Sequence, residues 1–85
     1  KDEDSWVRRA AVAALGKLGA ADVKAVLPLL EGALKNENSW VRRAAVAALR
    51  QLGAADVKAV LPFLEAALKD KDSWVRRDAV ETLSN

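Results

Sequence analysis

The sequence predicts an all-α fold, a short solenoid of five helices stacked as helical hairpins. Three observations predict it. The segment SWVRRAAVAAL at 5–15 recurs letter for letter at 39–49, and a third version, SWVRRDAVETL, fills 73–83. Aligned in full, 5–38 and 39–72 are identical at 27 of 34 positions. No segment shows the period-2 alternation of a strand. A unit of this size cannot bury its own apolar face, so copies of it must cover one another in a row.

Each unit reads as two helices. The first lies near 5–18, where alanine and leucine favour helix. Asp4 or Ser5 is its candidate N-cap, and Gly19 stands where a C-terminal glycine belongs. The second lies near 23–35, with Asp22 as its cap. The same punctuation (Asn38/Ser39, Gly53, Asp56, Asp72/Ser73) sets helices near 39–52, 57–69 and 73–83. Pro28 and Pro62 fall inside the second helix of each unit, where a kink or a loosened first turn is expected. Length favours one domain over 1–85. It divides into a half repeat at 1–19, a repeat at 20–53, and a repeat at 54–85 that ends in a capping helix, 73–83.

That last assignment comes from how the third copy departs. The helix at 39–52 is apolar nearly all round, so several neighbours must cover it. In 73–83 three of its alanine positions become Asp78, Glu81 and Thr82, on one face by helical spacing, while Val75, Ala79, Val80 and Leu83 stay apolar. The expectation is a polar outer face that closes the array. The first helix shows no such change. Val7, Ala11, Val12 and Leu15 then lack a preceding unit, which implies a missing upstream segment or self-association into a homo-oligomer.

The spacing of three residue types carries a family resemblance. Pro62, Asp70 and Val75–Arg76 form a pattern of proline, aspartate eight residues on, and a valine–arginine pair with the arginine six beyond the aspartate. Pro28 and Val41–Arg42 repeat it with Asn36 in the aspartate's place, and Asp2 with Val7–Arg8 fits its second half. In this the chain resembles HEAT repeats, units of armadillo-like solenoids. The resemblance implies a right-handed α–α superhelix of about two and a half repeats. The SWVRR helices would line its concave side and the proline-bearing helices its outside. It also implies a structural ladder between repeats in which Arg8, Arg42 and Arg76 engage Asn36 and Asp70, a role suited to the guanidinium fork.

Trp6, Trp40 and Trp74 recur once per unit at a helix start, and stacked helices about 8–10 Å apart would set the indoles in a row. Arg9, Arg43 and Arg77 form a second row. These six are the candidate partner-binding residues, for a protein or peptide. The competing reading packs each indole on a neighbouring arginine stem, with the arginines paired to Glu37, Asp70 or Asp72.

Other classes find less support. Fourteen Lys and Arg face twelve Asp and Glu, for a net charge of +2, too even for a dedicated nucleic-acid binder. Without histidine or cysteine the usual general base, thiolate and imidazole ligands are missing, so no catalytic, metal or cofactor site is expected. No apolar run reaches membrane-spanning length, which points to a soluble chain with the cytoplasm as its default address. An interaction module is the leading reading. A designed or consensus-like scaffold without a natural ligand fits the near identity of the copies equally well. A nucleic-acid-binding fragment and a fragment of a lyase-type HEAT protein are the further alternatives.

Overall fold

The computed structural model describes residues 5–84, so Asp2 and Asp4 lie outside the described residues. Five α-helices follow in order: α1 (Ser5–Leu18), α2 (Val23–Leu34), α3 (Ser39–Gly53), α4 (Val57–Ala67) and α5 (Ser73–Ser84). A single 3-10 turn, Gly19–Ala21, links α1 to α2, and no strand occurs among the described residues. The helices pack in two layers, α1, α3 and α5 side by side in one and α2 and α4 in the other. The fold is the expected solenoid.

α3 is the hub, in contact with all four other helices. Val41, Ala45, Val46, Ala48, Leu49 and Leu52 are all buried on it. Leu30 of α2, Val60 and Leu64 of α4, and Val75 and Ala79 of α5 close the core around it. A helix this apolar needs cover on several sides, and the two-layer stack supplies it, leaving a strip with Ala47, Arg50 and Gln51 exposed.

The caps differ from expectation in their details. Asn38 and Asp72, rather than the adjoining serines, start α3 and α5: the Asn38 side chain accepts from Trp40 N–H at 2.8 Å, and that of Asp72 from Trp74 N–H at 2.8 Å. Asp56 caps α4 through Ala59 N–H at 3.2 Å, whereas Asp22 occupies the same position before α2 without a side-chain cap bond. Both proline-bearing helices continue through their proline. Pro28 and Pro62 are exposed, as are Lys24 and Lys58 four residues back, so water can satisfy the released carbonyl.

The glycines are not left-handed caps, since no residue among those described has positive φ. Their purpose is space. A Cβ on Gly16 would sit 2.9 Å from the Ala48 Cα and 3.0 Å from its Cβ, so α1 and α3 approach at backbone distance. A Cβ on Gly19 would meet Val26 and Leu52. Gly32 has nothing within 4 Å of such an atom.

Two surfaces need correction. Val12 is buried and Leu15 half-buried by the elements that follow, so of the expected self-association face only Val7 and Ala11 stay exposed. The polar face of α5 does not point away from the array: Asp78, Glu81 and Thr82 line a groove with Val46, Ala47 and Arg50 of α3. Val80 and Leu83, expected beside Val75 and Ala79 against the preceding unit, are instead exposed.

The glycines make a paired prediction. Gly16→Ala should force α1 and α3 apart and cost about 1–3 kcal/mol, lowering Tm by roughly 5–15 °C for a chain of this size. Gly32→Ala, already present in the second copy as Ala66, should raise stability by about 0.5–1 kcal/mol. Thermal melts followed by circular dichroism read both.

Candidate functional site

The turns between units are built by paired acceptors. Asn36 Oδ1 accepts from Asn38 N–H and Asp70 Oδ1 from Asp72 N–H, each at 2.8 Å. Asn38 and Asp72 then cap the following helices through the tryptophan amides, so each indole leaves its helix from a pinned first turn. The two arginines that follow the Trp-Val pair diverge in what they touch.

The first arginine of the second and third pairs, Arg42 and Arg76, reaches the turns. Arg42 is buried; its Nε donates to Asp70 Oδ2 at 2.9 Å, its Nη2 to Asp70 Oδ1 at 3.2 Å and its Nη1 to the Asn36 carbonyl at 2.7 Å. One guanidinium thus ties its own turn to the next one, 28 residues along. Arg76 donates Nη1 to the Asp70 carbonyl at 2.6 Å, the same contact with its own turn. Arg8 is half-buried and has a partner of its own. Burying charges is costly, and what makes this pair sustainable is the fork geometry and the carbonyl that takes a further N–H.

The second arginine of each pair interleaves with the indoles. Arg9 stands 4.3 Å from the Trp6 ring centroid and 4.8 Å from that of Trp40. Arg43 stands 4.8 Å from Trp40 and 5.1 Å from Trp74, and Arg77 5.1 Å from Trp74. The two candidate rows are one alternating ladder, within the range where a cation is drawn to a ring face. The indoles remain exposed: Trp6 by 71% and Trp40 and Trp74 by 52% each, so the rungs hold one another while still meeting solvent.

Arg43 also has a carboxylate partner, but not Glu37, Asp70 or Asp72. Its Nε donates to Asp78 Oδ2 at 3.0 Å across the α3–α5 seam. Asp78 is the residue that sequence reasoning misplaced. The signal was present in paired form, because Gly16 of the first seam becomes Arg50 in the second just where the facing alanines become Asp78, Glu81 and Thr82. A tight small-residue seam has been replaced by a wider polar one. Ala44 stands where the first unit would need such an acid for Arg9.

Between α1 and α3 lies a groove of about 540 Å³. Alanines 10, 13, 44, 47 and 48 form its floor, Trp6 and Arg9 bound one end, and Lys17 and Gln51 the other.

The repeat period, the two-layer helical stack and the arginine–aspartate link between turns coincide in one chain. The family model for HEAT repeats matches residues 1–84. The chain belongs to the HEAT-repeat family. HEAT repeats generally mediate protein–protein interaction and are typically non-catalytic. No curated protein matches the chain. No helix among its described residues is long and apolar enough to cross a membrane.

The link between turns sets two predictions. Asp70→Ala leaves Arg42 buried without its carboxylate and should cost about 3–5 kcal/mol, read from urea unfolding midpoints. Asn36→Asp places a carboxylate 28 residues beyond Arg8, the register of Asp70 to Arg42, and should stabilise by up to about 1 kcal/mol at low salt. That gain should shrink as salt is added.

Proposed function

We propose that this chain is a non-catalytic interaction scaffold whose working surface is the groove between α1 and α3. The observation that carries this reading is the composition of the groove. Its alanine floor can admit another main chain or helix closely, and its rim carries Arg9 and Lys17. An apolar segment of a protein or peptide flanked by acidic residues has the matching chemistry. The layer of α1, α3 and α5 packs more closely than that of α2 and α4, which supports placing the groove on the inside of the curve.

Rigid display is the mechanism. The ladder of Trp6, Arg9, Trp40, Arg43, Trp74 and Arg77 holds large side chains in fixed positions beside the groove, so little conformational entropy remains to be lost on binding. Trp40, flanked by two guanidinium groups and half exposed, is the central anchor.

The test is capture of interacting proteins by the wild-type chain and by surface variants of unchanged Tm. Ala13→Glu, Ala47→Glu and Trp40→Ala should each lower recovery of a groove partner by about tenfold or more. Leu29→Glu, on exposed surface of the other layer, should leave it unchanged. Full recovery by the two groove variants and by Trp40→Ala would refute the assignment.

A further inference from the structure

The chain contains one side-chain arrangement twice, once with an acid built in and once without. Arg43 lies between the Trp40 and Trp74 rings and donates Nε to Asp78 Oδ2 at 3.0 Å. One 34-residue unit earlier, the counterparts of Arg43, Trp40, Trp74 and Asp78 are Arg9, Trp6, Trp40 and Ala44. The sandwich is kept, with Arg9 4.3 Å from the Trp6 centroid and 4.8 Å from that of Trp40. At the helix starts the two seams also have nearly the same spacing, 4.8 Å from Arg9 to the Trp40 ring and 5.1 Å from Arg43 to that of Trp74. The acid is what differs, because Ala44 ends at a methyl group. Among the described residues no carboxylate pairs with Arg9.

The grooves differ in step with this. Asp78, Glu81 and Thr82 line one of about 180 Å³ between α3 and α5. Their counterparts Ala44, Ala47 and Ala48 line the one of about 540 Å³ between α1 and α3, in which Arg9 also stands. Three side chains cut back to methyl groups leave room for a visiting side chain directly beside that guanidinium. We propose that Arg9 is the receptor for one carboxylate side chain, aspartate or glutamate, of the partner that enters the α1–α3 groove, and that this carboxylate takes the place Asp78 holds on Arg43. The proposal rests on the groove reading above and adds to it the group by which the partner is recognised.

Three physical points support it. A guanidinium with a ring over each face can be met only in its own plane, so its N–H edge selects an acceptor such as a carboxylate oxygen. The rings also keep water from both faces, which lowers the local dielectric and strengthens attraction at the edge. Charge balance points the same way: Trp40 has a guanidinium on each side, and Asp78 neutralises only that of Arg43. The internal pair shows how such an acid sits. The side chains of Arg43 and Asp78 are 27% and 26% exposed, so the carboxylate is held largely out of water and yet remains at the surface of the inner layer. The proposed site lies wholly between α1 and α3.

Arginine Nε–H resonances of the isotope-labelled chain test this, with Arg9→Gln to assign the signal of Arg9. Sodium acetate, against sodium chloride at equal ionic strength, should shift the Arg9 resonance along a saturating curve and leave that of Arg43, already paired, in place. Asp78→Ala should make Arg43 respond as well. Ala44→Asp should move the Arg9 resonance to the paired position and abolish its response. An Arg9 that ignores acetate, or an Arg43 that responds equally in the wild-type chain, overturns the proposal. A second arm uses an alanine-rich helical peptide with one glutamate and its glutamine twin, titrated by tryptophan fluorescence. The glutamate form should bind about threefold to tenfold more tightly, and Ala44→Asp should erase that preference. Equal affinity for the two peptides, or binding of neither, overturns the assignment to a partner's side chain. Ala47→Gln fills the groove floor without adding charge and separates this proposal from the reading beneath it. Undiminished affinity and preference in that variant keep Arg9 as the receptor and remove the groove. Weaker binding of both peptides, with no preference in the wild-type chain, keeps the groove and removes the receptor.

Discussion

The close approach of α1 and α3 governs the rest of the molecule. Gly16 and Ala48 let two helix backbones come within a methyl group's reach, and this brings successive helix starts near enough to share side chains. A guanidinium with a ring centroid 4.3 Å to one side and 4.8 Å to the other fits only when the helices bearing those rings are about 8–10 Å apart. The alanine content follows from the same constraint. Larger side chains on the facing sides, as at the α3–α5 seam, still carry the ladder, with Arg43 5.1 Å from the Trp74 ring where Arg9 is 4.8 Å from that of Trp40.

Two adjacent arginines divide the task of joining units. Arg42 points into the turns and fastens main chain to carboxylate in a buried pocket; Arg43 points along the face and fastens ring to ring to Asp78 near solvent. A lysine could serve neither place well. It lacks the fork that takes Asp70 and a carbonyl together, and it lacks the planar surface that lies between two indoles. The first link sets the distance between turns and the second the distance between helix starts, so a unit is held at two levels.

Much of this is legible in the sequence, because repetition turns one observation into several. The five helices and the burial of α3 on several sides follow from residues recurring at fixed spacing, and the Arg42–Asp70 link is what the HEAT-repeat resemblance implies. Repetition also hides things. Leu18 and Leu52 are the same letter in the same context, yet one is exposed and the other wholly buried, because the difference lies in the neighbouring unit and not in the segment. The direction of Asp78 was lost for a related reason. Helical spacing groups residues 78, 81 and 82 on one face but does not say which neighbour that face meets. Gly19 read as a turn residue because that is the commoner use of glycine at a helix end, whereas the structure uses it to clear Val26 and Leu52.

Because every interior guanidinium is shared by rings on two successive helices, the row has no independent links. Flexing the array at any one seam must slide a cation off one aromatic face or the other, and the disturbance passes to the next rung through the ring they have in common. The three indoles thereby become a built-in optical gauge of curvature, their emission tied to how closely each is approached by positive charge.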